Sequence, residues 1–551
     1  MAMIRGVVIL LALLVTACAA PITQRSADVP VTVGILAFND FHGHLEPGPR
    51  GNAGIARLAT TLAAARMRFP NNVTISAGDL IGASPLVSSL FLDEPTVTAM
   101  NMLGLDFNAV GNHEFDRGRA ELLRMQNGGC DRHASRPPCA IEPFAGAKFR
   151  FLSASTFTKN GRTLFPAMGI KQFGIGPNRV SVGFIGLTLK ETQTLVTPEG
   201  VIGLTFGDEI AAINAAVPRL KAQGADAVVV LIHQGGSATE DRDSENCATV
   251  TGPIIHILQE LDPRVDIVVS GHTHQAYICE FKGNGDRSVL LTSAGKYGEL
   301  LTEIDLAIDP RTDRVIAKRA VNVMLDRRIA PDTAVATYVA RYASAVREIE
   351  RRPVGRLSGP AIRSAPHGNG LAIGGPLGNL IADAQLAATR KARARIALTN
   401  PRGIRSDLQQ GDGQLTTFGE IYAAQPFGNS LMTLTLTGAE IRTALEQGLD
   451  DEGPRQILAG SAGFRVVVVP AAPAGSRIRS ITLDDRPLDD TASYRVTVNS
   501  FLVSGGDGFA AFASGRERTV GTGDLDALEA WLSATDVLAV PDEARAIIID
   551  R

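Results

Sequence analysis

Five apolar, β-branched runs in this chain each stop at a short cluster of carboxylate, amide or imidazole residues, and this pairing constrains the fold more than any other feature. Residues 31–38 run into Asn39-Asp40-Phe41-His42-Gly43-His44, and residues 73–76 into Gly78-Asp79. Residues 107–110 run into Gly111-Asn112-His113-Glu114-Phe115-Asp116, residues 227–232 into His233, and residues 265–269 into Gly271-His272-Thr273-His274. Short apolar runs of this kind, with a sixth at 182–187, predict buried strands, whereas 53–68, 208–223 and 252–261 carry helical spacing of apolar residues. The alternation predicts a layered α/β domain. Ligands of open α/β sheets bind beyond the carboxyl ends of the strands, so five separate segments are expected to deliver their donors to one rim.

Of the 9 histidines, six (His42, His44, His113, His233, His272 and His274) fall in these stretches. One such histidine alone would more often be structural. The joint set is hard to explain by packing, because buried carboxylates need paired charge or a metal. Mixed carboxylate, amide and imidazole donors suit a pair of divalent ions of intermediate hardness, such as Zn²⁺, Mn²⁺ or Co²⁺, and not a thiolate structural zinc.

The elements D-x-H, G-D, G-N-H-E, a later H and G-H-x-H occur in that order between Asp40 and His274. In this the chain resembles the calcineurin-like metallophosphoesterases, which implies a four-layer α/β-β/α domain. The resemblance implies that Asp40, His42, Asp79 and His274 hold one metal and Asp79, Asn112, His233 and His272 the other, with Asp79 as the bridge. His113, oriented by Asp116, would act on the transition state and leaving group, a task that suits an imidazole held by a carboxylate. A surface charge or helix cap is the alternative for Asp116. His44 is open between support of the ligand sphere and solvent.

The pattern changes after the polar, Arg-rich amphipathic segment 331–352. Beyond Pro353 a helix-like stretch at 377–395 is followed by strand-like runs at 396–398, 431–436, 464–469 and 494–498, with Gly-rich loops between. The segments Gly378-Asn379-Leu380, Thr399-Asn400-Pro401-Arg402-Gly403-Ile404-Arg405, Gln425-Pro426-Phe427-Gly428-Asn429 and Asn499-Ser500-Phe501 to Gly505-Gly506-Asp507-Gly508 resemble the substrate domain of the 5'-nucleotidase family. An α+β domain is therefore expected from 353 to 551, after a metallophosphoesterase domain at 31–330 and a hinge at 331–352. By resemblance, Phe427 and Phe501 would sandwich a nucleobase, Asp507 would hold ribose hydroxyls, and Asn400 and Arg405 would contact base and phosphate. Core packing is the alternative for the two phenylalanines. Two departures concern phosphate clamping: Arg402 stands where many relatives have glycine, and Gly374-Gly375 replaces an arginine. Arg402 or Arg363 is the candidate to supply the missing charge.

Arg5, the apolar run 6–15 and small residues thereafter form a secretory signal pattern. Val15-Thr16-Ala17-Cys18 resembles the bacterial lipobox, which implies a signal peptide at 1–17, lipidation of Cys18 and a tether at 18–30. A plain secretory signal is the alternative. The expected location is the periplasmic face of a membrane, and Ala19 in place of aspartate points to the outer membrane of a Gram-negative bacterium. In that oxidising setting Cys130, Cys139, Cys247 and Cys279 allow three pairings. Cys130 with Cys139 and Cys247 with Cys279 is favoured over the others, with four free buried thiols as the alternative.

With 54 Lys plus Arg against 57 Asp plus Glu, and a net charge of -3, the chain lacks the cationic surplus of a nucleic-acid grip. The expected partner is a nucleotide, with membrane attachment through the lipid alone and no nucleic acid; the sequence carries no sign of oligomeric state. The resemblance implies an exported phosphoric monoester hydrolase that removes phosphate from nucleoside 5'-monophosphates through metal-activated hydroxide. A 2',3'-cyclic phosphodiesterase with 3'-nucleotidase activity, a UDP-sugar hydrolase and a non-catalytic nucleotide-binding lipoprotein are the alternatives.

Overall fold

The structure, a computed structural model, describes residues 29–48, 52–134, 136–196, 198–238, 247–282, 288–368, 370–409, 415–451 and 455–550. The signal segment, Cys18 and most of the tether lie outside the described residues.

Two six-stranded sheets face each other in the first domain. One has the order Arg314–Met324, Leu300–Asp309, Val31–Phe38, Asn72–Ser76, Phe107–Ala109, Arg150–Leu152. The other has the order Ala276–Lys282, Ser288–Ala294, Ile267–Ser270, Ala227–His233, Val180–Thr188, Met168–Phe173. The four strands from Val31–Phe38 to Arg150–Leu152 are mutually parallel, and so are Val180–Thr188, Ala227–His233, Ile267–Ser270 and Ser288–Ala294. Antiparallel strands flank both sets.

Side chains alternate across each strand, which explains the continuous apolar runs. Val33, Ile35 and Ala37 enter the core between the sheets, while Leu36 and Phe38 enter the core beneath the helices. Likewise Val229 and Leu231 face the other sheet, and Val228, Val230 and Ile232 face the second helical layer. Each fully buried Val, Leu or Ile contributes about 1.5–3 kcal/mol. A one-residue slip would exchange the two faces of the whole strand, so register is firmly held. The first outer layer includes the helix Ile55–Arg68, which buries Ile55, Leu58, Leu62 and Ala65 on one stripe. The second includes Glu209–Ala222, N-capped by Asp208 through the Ala211 N–H at 2.9 Å, and Pro253–Glu260. The result is the expected α/β-β/α four-layer domain.

The helix Thr333–Arg351 is N-capped by Asp332 and buries Val335, Val339, Tyr342 and Val346 in the first domain's outer core. Tyr422 of the second domain joins the same core, so this segment packs against both halves. The second domain is α+β. A five-stranded sheet contains Ile396–Thr399, Ser493–Asn499 and Ser430–Thr437 at its centre, and a four-stranded sheet contains Phe464–Val468 and Ile478–Leu483. The helix expected at 377–395 runs Gly375–Ala388 and stops early. Thr389 turns its hydroxyl back to the Gln385 carbonyl at 2.7 Å, and a tight turn ends at Arg393 in the left-handed region. Cys130 is bonded to Cys139 and Cys247 to Cys279, the favoured pairing.

Candidate active site

All five strand-end clusters meet at one rim. The first two loops are zipped by backbone hydrogen bonds: Asp40 N–H to the Gly78 carbonyl at 3.0 Å and His42 N–H to the Asp79 carbonyl at 2.9 Å. Close approach explains the glycines. A Cβ on Gly78 would stand 2.6 Å from His233 Nδ1, and one on Gly111 would stand 2.2 Å from Asp79 Oδ1. Asp40, His42, Asp79, His272 and His274 all have φ between 46° and 73°, a left-handed conformation uncommon outside glycine. Such local cost persists where surrounding structure enforces it, typically at functional sites.

Two ligand clusters result, Asp40 with His42 and His274, and Asp40 with Asp79 and His233. His42 Nε2 lies 3.2 Å from His274 Nε2 and 3.6 Å from Asp79 Oδ2, and His274 Nε2 lies 3.5 Å from Asp40 Oδ1. His233 Nε2 is 2.9 Å from Asp79 Oδ2, and His272 Nδ1 is 3.1 Å from Asn112 Oδ1. Thus all seven expected ligands converge: Asp40, His42, Asp79, Asn112, His233, His272 and His274.

The donor set fits cations. His42 Nδ1 donates to the Gly82 carbonyl and His233 Nδ1 to the Ala77 carbonyl, both at 2.8 Å, which fixes each ring with its Nε2 turned into the cluster. His233 Nε2 faces the buried Asp79 carboxylate, and the Nε2 atoms of His42 and His274 face each other. Imidazole nitrogens and carboxylate oxygens gathered this closely are the donor set that a divalent cation binds. Burial holds the pKa of His42 and His274 well below the imidazole value and lowers His272 to about 3, the neutral state that metal ligands require, whereas for His233 the Asp79 carboxylate outweighs burial and raises the pKa to about 10, so a cation bound there would displace its proton. Burial pushes Asp79 upward, but the surrounding histidines, His233 foremost, hold it well below the usual carboxylate range.

His113 stands apart from the ligand sphere. Its N–H donates to Asp79 Oδ1 at 2.9 Å, and its Nδ1 lies 3.0 Å from both oxygens of Asp116. Burial alone would lower its pKa; Asp116 and Asp79 outweigh burial and raise it. Asp116 also accepts the Ala83 N–H at 3.0 Å, so it braces His113 and the loop after Asp79 together. His44 is half-buried, stacks on Tyr297 at 3.8 Å and meets the Asn52 amide at 3.1 Å. Tyr297 in turn lies edge-on to His42 and His274, which places His44 in support of the ligand sphere.

Sequence patterns alone give Glu114 no role, although the G-N-H-E element includes it. Its carboxylate is 3% exposed and accepts the N–H groups of Asp79 at 2.9 Å, Leu80 at 2.8 Å and Gly111 at 2.6 Å. It therefore fixes the loop of Asp79 against that of Asn112. The only signal for this in the sequence is an acid among residues that otherwise all have assignments.

A cavity of about 490 Å³ opens from the rim into the second domain. Asp79, Asn112, His113, His272 and His274 line it on one side, and Asn400, Arg405, Phe427, Phe501 and Asp507 on the other. Phe427 stacks over His113 with ring centroids 5.8 Å apart and planes inclined by 16°. Asp507 accepts the amides of Asn400 at 3.0 Å and Gln456 at 2.8 Å, and Asn499 donates to Asn400 at 3.0 Å. Arg402 also lines the cavity, its guanidinium resting on the Gly370 carbonyl at 3.3 Å. Arg363 is committed elsewhere: it binds Asp407 at 2.9 Å and the Ile404 carbonyl at 3.0 Å, bracing the loop that carries Arg405.

Comparison with known proteins agrees with this arrangement. The sequence pattern of the calcineurin-like phosphoesterases matches residues 33–276, and that of the 5'-nucleotidase C-terminal domain matches residues 353–514. The chain is 30% identical to Endonuclease YhcR of Bacillus subtilis, over 93% of this chain and 40% of that protein. It is 31% identical to Cell wall protein Lmo0130 of Listeria monocytogenes, over 92% of this chain and 68% of that protein. The chain thus spans less than half of the first relative and about two thirds of the second. Among solved structures, the 5'-nucleotidase precursor from Thermus thermophilus superposes with a TM-score of 0.79 at 26% identity, covering 94% of this chain and 100% of that one. Likeness over both halves, added to a rim that unites the phosphoesterase motifs with the second domain's loops, shows that this chain belongs to the 5'-nucleotidase family of calcineurin-like metallophosphoesterases.

Proposed function

We propose that this protein is an exported, lipid-anchored phosphohydrolase that releases phosphate from nucleoside 5'-monophosphates. One observation carries the reading: a single cavity joins the donor cluster and His113 to two phenylalanines, an Asn–Asp pair and two arginines of the second domain. Stacking faces accept a flat base, a carboxylate accepts hydrogen bonds from a ribose diol, and guanidinium forks match phosphate. Phe427 and Phe501 would hold the base, Asp507 with Asn400 the nucleoside, and Arg405 with Arg402 the phosphate.

Asp40, His42, Asp79 and His274 would hold one divalent cation, and Asp79, Asn112, His233 and His272 a second. Such a pair supplies positive charge against the phosphoryl oxygens and lowers the pKa of a bound water. The protein's own groups do the rest. His113, kept protonatable by Asp116, would offset charge on the ester oxygen and give the leaving alkoxide its proton. Phe427, stacked on His113, would shield that proton from bulk water. Arg405 stands across the cavity and would orient the ester.

Export is supported by the signal pattern and by two disulfides, which persist in oxidising compartments. Acyl labelling lost on Cys18→Ala would support the anchor; unchanged labelling would refute it. The activity is tested by mature protein loaded with defined metals and given mono-, di-, cyclic and sugar nucleotides and oligonucleotides. Metal-dependent phosphate release with nucleoside 5'-monophosphates preferred is expected. Full-rate AMP hydrolysis by stringently demetallated protein would overturn the reading, and a preference for cyclic, sugar or polymeric substrates would reassign the substrate.

A further inference from the structure

One buried carboxyl facing the same cavity has no part in anything above. Asp524 lines the cavity, is 3% exposed and opens the helix Asp524–Ser533. Its side chain accepts two hydrogen bonds, from the Leu525 N–H at 2.8 Å and from the Asn429 amide at 3.3 Å. Among the described residues no cation pairs with it. A carboxylate has about four acceptor sites, so half of its capacity is unused in a place water scarcely reaches.

The surroundings say where this spare capacity lies. The Asp524 N–H donates to the Asn429 carbonyl at 2.8 Å, the Ser500 hydroxyl donates to Asn429 Oδ1 at 3.4 Å, and the Ser430 N–H donates to the Ser500 hydroxyl at 3.2 Å. Asn429 lies two residues from Phe427, and Ser500 adjoins Phe501. Asp524 thus stands where the segments carrying the two phenylalanines are knotted together, and all three side chains line one cavity.

On the nucleotide reading above, we propose that Asp524 is the base-discriminating residue of this cavity, accepting hydrogen bonds from the edge of a base stacked on Phe427 and Phe501. Stacking tolerates any flat ring; a buried acceptor does not, because an edge that offers carbonyl oxygens leaves it unpaired and repelled. A carboxylate only accepts. Guanine presents two adjacent N–H donors and suits it best, adenine and cytosine present one amino group beside a ring acceptor, and uracil presents one N–H between two carbonyls. The expected order is guanine first, adenine and cytosine next, uracil last.

The test is calorimetric binding of guanosine, adenosine, cytidine and uridine to the metal-loaded protein at pH 8, above the value of about 7 to which burial raises the Asp524 pKa. Guanosine is expected to bind about tenfold or more tightly than uridine. Asp524→Asn, which replaces one acceptor with a donor, is expected to bring that ratio to about twofold or less. Equal binding of guanosine and uridine by the unaltered protein overturns the inference with no variant needed. A uniform weakening of all four nucleosides in the variant also overturns it, because that is the signature of a residue that merely braces the Asn429 loop. If no nucleoside binds while p-nitrophenyl phosphate is hydrolysed, the nucleotide reading itself fails, and the role of Asp524 with it.

Discussion

Replacement of Glu114 by glutamine should loosen the metal centre without touching any ligand. In the present structure one carboxylate oxygen receives the Asp79 and Gly111 N–H groups, and the other receives the Leu80 N–H and, at 3.4 Å, the Asn108 amide. A glutamine keeps one oxygen, which will face the pair of backbone donors at 2.9 and 2.6 Å. Its NH₂ then opposes the Leu80 N–H, which stays buried and unpaired. Orphaning one buried donor costs about 1–3 kcal/mol. At about 2–4 °C per kcal/mol for a domain of this order, Tm should fall by about 2–12 °C. The turn it releases carries Asp79, the proposed bridge, at φ 52°. Loss of an outer partner of this kind typically lowers metal affinity or activity about 10–100-fold. Metal titration followed by phosphate release, alongside thermal denaturation of the metal-free protein, reads both effects. A variant with unchanged Tm and unchanged metal affinity would show that the three N–H bonds do not hold the turn.

His113→Ala should lower kcat about 10²–10⁴-fold with metal content intact, and the loss should be smaller for p-nitrophenyl phosphate, whose leaving group needs no proton; equal losses for both esters would remove the leaving-group role. Arg402→Ala should raise KM for nucleotides with little change in Tm, whereas Arg363→Ala should lower Tm through its lost bonds to Asp407 and Ile404; if the double variant keeps turnover and affinity unchanged, neither residue serves the phosphate. Burial raises the Asp524 pKa to about 7, so between pH 4 and 7 the unfolded chain gives up this proton first and stability falls as pH rises, by up to about 4 kcal/mol. Asp524→Asn should therefore gain on the parent protein in denaturant titrations as pH climbs through that window, and a constant difference from pH 4.5 to 7.5 would contradict the burial argument. Reduction of the Cys130–Cys139 bridge, with a sequence separation of 9, should cost about 3 kcal/mol of stability, measured by the same titrations with and without reductant.

Much of the fold is legible in the sequence because its signals are local. The expected strand at 31–38 coincides with Val31–Phe38, and the helix at 208–223 coincides with Glu209–Ala222 plus its two caps. Apolar runs report burial on both faces, and a polar cluster after each run marks the carboxyl edge of a sheet. The four strands from Ala276 to Met324 are not among the expected ones; exposure accounts for Arg314–Met324, which lacks the continuous apolar signature, but not for Ser288–Ala294 or Leu300–Asp309, which are largely buried.

The residue types of the expected ligand set and their order were thus written in the chain itself, since a metal demands particular donor atoms wherever they sit, whereas the cysteine pairing, open among three from sequence, was decided by which thiols the fold brings together. Which second group holds each donor was decided only by folding. Glu114 reaches the Asp79 turn, Arg402 faces the cavity while Arg363 turns to Asp407, Phe427 crosses from one domain to cover His113, and Asp524 enters the cavity beside both phenylalanines. Those outcomes depend on left-handed turns and on contacts between residues tens to hundreds of positions apart, where a shift of an ångström separates a hydrogen bond from an empty carboxylate, and no local periodicity encodes distances of that kind.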